Sequence, residues 1–183
     1  DVLLLLPDGA APEAGSALRA QLEGFIGSCW DTGLEIGSSV RTVAECLAES
    51  AGDVTVQTSL LESRPLVADE AATAALLDAV KPSLVWPAQE FFAAKREELR
   101  LRHARHGDTA DNLEPNLKEG PGGLRDVQTL RWMALRILGT GDMESLVAIG
   151  LMGADEVATI RRERQALSRL RWGLHLVAGK REE

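Results

Sequence analysis

Three glycines and a proline occupy four consecutive positions, Gly120-Pro121-Gly122-Gly123, and directly afterwards apolar residues recur at helical spacing. Leu124, Val127, Leu130, Ala134, Ile137 and Leu138 mark that helix, so the stretch is a glycine-rich turn opening it. A helix start leaves backbone N–H groups without intrahelical acceptors at the positive end of the dipole, which suits phosphate. Lys118 and Arg125 bracket the turn and can add two cations to the amides of Gly122 and Gly123. The same residues also suit a plain helix start in which Asp126 answers the first-turn dipole.

What precedes the turn changes character partway along. Val2-Leu-Leu-Leu-Leu6 is an unbroken apolar run ended by Pro7-Asp8-Gly9, which reads as a strand buried on both faces. Leu18, Leu22, Phe25, Ile26 and Cys29 recur at three and four, predicting an amphipathic helix from Pro12 to about Trp30. Leu34-Glu35-Ile36 and Val40 alternate, predicting a second strand. Thr42 and Glu45 have capping-box spacing, and Asp53 can cap another helix through Val56, Leu60 and Leu61. Strand, helix, strand and further helices make an α/β beginning. After Pro65 helical patterns dominate, over 69–81, 87–106, 122–138, 143–150 and 154–178, with Asn112 to Lys118 as an extended segment feeding the turn. The division expected is therefore an α/β domain over 1–65 and a mostly α-helical bundle over 66–183. Val157, Ile160, Leu167, Leu170, Leu174 and Val177 share one side of the last helix, and its arginines read as a solvated face.

Composition narrows the function classes. With 183 residues, 45% of them hydrophobic, the chain can bury a core of its own. Its longest apolar run, Val2 to Leu6, is far too short to span a membrane. Cys29 and Cys46 give no disulfide framework and read as buried free thiols of a cytoplasmic protein. The net charge of −8 is uneven: residues 1–90 hold 14 acids against 4 bases, and residues 91–183 hold 14 against 16. An acidic first half argues against nucleic acid and suits a site that collects divalent metal.

Asp1 stands at the start of the buried strand, and Glu35 lies in the second. A glutamate in a Leu-Glu-Ile context is costly to bury unless paired or metal-bound, so the two acids are candidate metal ligands. On the residues alone, Glu35 equally suits the solvent face of an edge strand, and Asp1 a plain terminal residue. His103 and His106, with Asp108 nearby, form either a metal site or a dipole-complementing helix end. His175 reads as a packed helix residue, and one of Glu62 and Arg64 as an inward-turned ion-pair partner. No Ser/His/Asp or Cys/His grouping argues for nucleophilic catalysis.

The long form LEPNLKEGPGGLRD followed by VQTLRW resembles the bifunctional PII uridylyltransferase/uridylyl-removing enzymes of bacterial nitrogen control. Further matches are Trp30-Asp-Thr-Gly-Leu-Glu35-Ile-Gly, Ser39-Val-Arg-Thr42, Leu60-Leu-Glu-Ser-Arg64 and Arg102-His-Ala-Arg-His-Gly-Asp-Thr109. The resemblance implies a partial polymerase-β-like nucleotidyltransferase sheet followed by the helical bundle. It implies UTP as substrate, Mg2+ as cofactor and a tyrosine of the PII signal protein as acceptor. Asp1 and Glu35 become the catalytic, metal-holding acids. Lys118, Gly122, Gly123 and Arg125 either engage the triphosphate or secure the loop that does, and Arg125 alternatively pairs with an acid as a brace. The family's Gly-Gly turn and first Asp would lie before Asp1, which predicts that these residues alone are inactive. Ser38 replaces the family's usual His, and Asp111 its usual aromatic. The metal-dependent phosphohydrolase and ligand-sensing domains of such enzymes have no counterpart here, so the removing reaction is not assigned to these residues. Two rivals remain: an adenylyltransferase of the glutamine-synthetase type, which shares a shorter motif, and a non-catalytic helical module binding a nucleotide or partner.

Overall fold

The computed structural model describes residues 1–68, 70–80 and 85–180. The chain divides into two compact units, Asp1–Val85 and Trp86–Glu183.

In the first unit, β1 (Val2–Leu6) pairs in parallel with β2 (Ser38–Thr42), Val2 opposite Ser38 and Leu6 opposite Thr42. The crossover between them carries α1 (Ala17–Asp31), capped by the Ser16 hydroxyl accepting from the Arg19 amide at 3.2 Å. β2 starts later than the Leu34-Glu35-Ile36 alternation predicts, and Glu35 lies outside it. The exit from α1 uses those residues instead. Gly33 turns at φ 83°, the Leu34 amide reaches back to the Cys29 carbonyl at 2.9 Å, and the Ile36 amide bonds to the Leu34 carbonyl at 2.8 Å.

The capping box at Thr42 and Glu45 opens α2 (Val43–Gly52), and Asp53 caps α3 (Val54–Leu61), as the sequence predicts. Cys46, Leu60, Leu76 and Val80 form the buried core, with Leu3, Leu5 and Val56 packed against it. Leu76 belongs to α4 (Glu70–Ala79), and the buried Gln57 amide donates to the Val80 carbonyl at 3.0 Å. This segment completes the core, and the compact first unit runs to Val85. The expected helix start at residue 69 and its stop at Lys81 and Pro82 lie outside the described residues. β1 is less enclosed than expected: Leu6 is buried and the others half-buried. Cys46 is buried and Cys29 only half-buried, while Glu62 and Arg64 are both exposed rather than turned inward.

The second unit holds α5 (Ala88–Arg105), α6 (Leu124–Leu138), α7 (Glu144–Ala148) and α8 (Ala154–Ala178), with α6 packed against the other three. The α5–α6 seam is unusually polar. Phe91, Lys95 and Arg102 recur along one face of α5, while Thr129, Trp132 and Arg136 do so on α6, and all six are buried. The Lys95 ammonium, 1% exposed, sits 4.3 Å from the centre of the Trp132 ring and 2.7 Å from a Glu98 oxygen. Arg136 lies 6.0 Å from the Phe91 ring centre, and its Nε donates to the Trp86 carbonyl at 3.1 Å. On α8 only Val157 is fully buried: Ile160, Leu167 and, as the packed-residue reading expects, His175 are half-buried, while Leu170, Leu174 and Val177 are exposed. A 15-residue α6 cannot cover a 25-residue α8. No helix among the described residues is long and apolar enough to cross a membrane.

Candidate functional site

The glycine-rich turn is a closed knot of backbone hydrogen bonds. Asn116 begins it: its side-chain oxygen accepts from the Lys118 and Glu119 amides at 3.0 and 2.7 Å, and its carbonyl accepts from Gly120 at 3.1 Å. Residues 117–119 therefore form a helical turn, where the sequence predicts an extended feed into the glycines. Two bonds then join the arms of the knot, Leu124 N–H to the Leu117 carbonyl at 3.0 Å and Arg125 N–H to the Lys118 carbonyl at 2.8 Å. Gly123 donates to Gly120, and Gly122, at φ 75°, donates to an Asp126 carboxylate oxygen at 2.8 Å. The amides named for phosphate binding thus have acceptors inside the chain.

Glycine at positions 120 and 123 is a matter of space rather than of φ. A Cβ on Gly123 would stand 2.8–2.9 Å from three backbone carbonyls, those of Gly120, Leu117 and Lys118. One on Gly120 would stand 2.7 Å from the Asn116 carbonyl. Gly122 has open space around it and is required instead by its left-handed backbone.

Both bracketing cations meet the acid between them. Arg125 reaches Glu119 through Nη2 at 3.0 Å and Gln128 through Nη1 at 2.7 Å, with its guanidinium 5.5 Å from the Trp132 ring centre. Lys118 Nζ lies 3.4 Å from the same Glu119. Burial pushes the Glu119 carboxyl up, but Arg125 and Lys118 outweigh it and hold the group below its ordinary value.

Asp126 is the second anchor. It accepts from Gly122 N–H, from Arg102 Nη2 at 2.7 Å, and has His103 Nε2 3.0 Å from both oxygens. Arg102, 6% exposed, also donates to the Glu119 carbonyl at 2.9 Å. Burial again works to raise the carboxyl's pKa, and the bonds from His103, Arg102 and Gly122 overcome it, leaving Asp126 below its ordinary value. His103 therefore belongs to Asp126 rather than to a metal. The sequence gives Glu119 and Arg102 no individual role and Asp126 only a dipole role. The available sign was that Arg102-His103 and Asp126 both fall within the segments that carry the resemblance.

The candidate acids lie in the first unit, at the end of the sheet where both strands begin. Asp1 precedes β1, and Glu35 stands two residues before Gly37, whose carbonyl accepts the Val2 amide at 2.8 Å. Both side chains are exposed. The Asp1 carboxylate occupies the place a Cβ on Gly37 would take, so glycine there lets the acid lie against the neighbouring chain. Carboxylate oxygens suit magnesium in chemical type, since it binds through one or two carboxylates and takes the rest from water and phosphate. Among the described residues there is no group of three or more His, Cys, Asp or Glu side chains that could hold a metal. The acids belong to one unit and Lys118, Gly122, Gly123 and Arg125 to the other.

Comparison with known proteins places this arrangement. The family model for the GlnD PII-uridylyltransferase matches residues 90–183. Over 181 residues, 99% of this chain, it is 56% identical to the bifunctional uridylyltransferase/uridylyl-removing enzyme of Xanthomonas campestris pv. campestris (strain B100). Similar proteins of the same description occur in Xanthomonas oryzae pv. oryzae (strain MAFF 311018), at 53% identity, and in Azotobacter vinelandii, at 42%. The chain spans about a fifth (20%) of the length of each. No solved structure matches it significantly. On these matches, and with the glycine-rich knot inside the matched region, the chain belongs to the GlnD PII-uridylyltransferase family.

Proposed function

We propose that these residues form part of an enzyme that transfers UMP from UTP to a tyrosine of a PII signal protein in the cytoplasm. The tyrosine oxygen bonds to the α-phosphorus of UTP, the bond to the β-phosphate oxygen breaks, and pyrophosphate leaves. The observation that carries the reading is the 56% identity to a uridylyltransferase over 99% of the chain. Asp1 and Glu35 would be the acids that hold Mg2+, with Gly37 giving Asp1 its place. Bound there, magnesium would neutralise phosphate charge and polarise the reacting oxygens.

For the glycine-rich knot, the geometry favours securing over direct amide contact. Gly122, Gly123 and Arg125 have partners within the segment, so their part is to fix the start of α6. Lys118, 3.4 Å from Glu119, is the cation assigned to the triphosphate, an assignment supported by its place in the matched motif. In a full-length family enzyme, Lys118→Ala should raise the KM for UTP about tenfold with kcat little changed. Asp1→Asn and Glu35→Gln should abolish transfer of labelled UMP while the protein stays folded. Wild-type kinetics in Lys118→Ala would remove the phosphate role, and full activity in both acid variants would remove the metal role.

A further inference from the structure

A cleft of about 440 Å³ lies in the second unit between α6, the turn before α7, and α8, and none of residues 116–126 of the knot lines it. That is within the usual size of small-molecule sites. Its apolar wall comes from Val127 of α6 and from Val157 and Ile160 of α8. Three arginines line it: Arg131 from α6, and Arg161 and Arg164 from one face of α8.

The three are not equivalent. Arg161 is neutralised by an ion pair with Glu144. Arg131 uses only its Nε, on the Gly141 carbonyl at 3.3 Å, which leaves both terminal nitrogens without a hydrogen-bond partner among the described residues. Arg164 has no ion-pair or hydrogen-bond partner among the described residues. Asp142 is the one remaining acid of the lining, so the cleft keeps a positive excess beside an apolar wall. Paired donors in a planar fork match an oxyanion, and the apolar wall matches a hydrocarbon or aromatic body.

We propose that this cleft binds a small organic oxyanion, its phosphate or carboxylate held by Arg131 and Arg164 and its apolar body lying on Val127, Val157 and Ile160. The site does not draw on the transferase reading. It places a ligand against α6, the helix that the glycine-rich knot opens.

Calorimetric titration of the 183-residue chain with phenyl phosphate, phenylacetate and inorganic phosphate tests this. At least one aromatic anion should bind saturably, and at least about tenfold more tightly than inorganic phosphate. The tighter of the two aromatic anions identifies the headgroup. Arg164→Ala, a substitution of an exposed side chain, should weaken that binding about tenfold. Arg162→Ala removes the same charge from a residue paired with Glu163 and should leave it unchanged. Absence of saturable binding by either aromatic anion would overturn the proposal. So would equal affinity in wild type, Arg164→Ala and Arg131→Ala.

Discussion

Arg102, near the end of α5, donates to Asp126 at 2.7 Å and so ties one helix's last turn to the next helix's first. With the guanidinium almost fully buried, removing the acid leaves its charge with only the longer 3.9 Å contact to the Glu119 carboxylate. Asp126→Asn is expected to cost about 2–3 kcal/mol, read from urea unfolding midpoints. A loss below about 0.5 kcal/mol would make the tie incidental to stability.

The same acid gives the chain a pH dependence of known sign. Asp126 and Glu119 both titrate below their ordinary values when folded. As pH falls, the unfolded chain therefore takes up these protons first. Their contribution is complete above about pH 5 and is lost as pH drops through the folded-state values. Unfolding free energy should fall below about pH 4 more steeply in wild type than in Asp126→Asn. Parallel curves would show that Asp126 does not carry the effect.

Two adjacent glycines should respond differently to the same change. Gly123→Ala drives a Cβ into three carbonyl oxygens that belong to the hydrogen-bonded knot, and should cost about 1–3 kcal/mol or more. Gly122→Ala meets open space and pays only for its left-handed backbone, about 1 kcal/mol. Thermal melts of the two variants give the order, and a reversed order would mean the knot yields more easily than its contacts imply.

Lys95 separates charge from volume. Methionine there keeps the contact with Trp132 and removes a buried ion, so Lys95→Met should lie within about 1 kcal/mol of wild type. Lys95→Ala opens space in the seam and should cost about 2–4 kcal/mol. If both variants were equally damaged, the Glu98 ion pair, rather than packing, would be what Lys95 supplies.

Local chemistry was legible in the sequence wherever a few neighbouring residues decide the outcome. The box at Thr42 and Glu45 and the cap at Asp53 are of this kind, as is the helix after Gly123. Long-range pairing was not. Alternation at Leu34-Glu35-Ile36 looks like a strand, yet the exit of α1 claims those amides and carbonyls, and no periodicity count weighs one use against the other. Only the fold, likewise, shows Leu76 and Val80 joining Cys46 and Leu60 in one core. At the knot, the glycines, the flanking cations and an acid partner for Arg125 as one alternative were legible, but which acid and which acceptors were not. The acceptors come from Asn116, Leu117 and Lys118 upstream, from Gly120 and Gly123 within the turn and from the Asp126 side chain beyond it, and the acid that occupies the cations sits between them.

A segment rich in glycine and proline would ordinarily trade its amide protons with deuterated solvent within seconds. Here every backbone N–H from Lys118 to Asp126 has an acceptor, Pro121 having none to offer. This stretch should therefore retain its protons together with the first turn of α6, opening only when the knot comes apart as a whole. In an isotope-exchange map it would stand out as an island of slow exchange, and its lifetime would report directly on how rigidly the start of α6 is held.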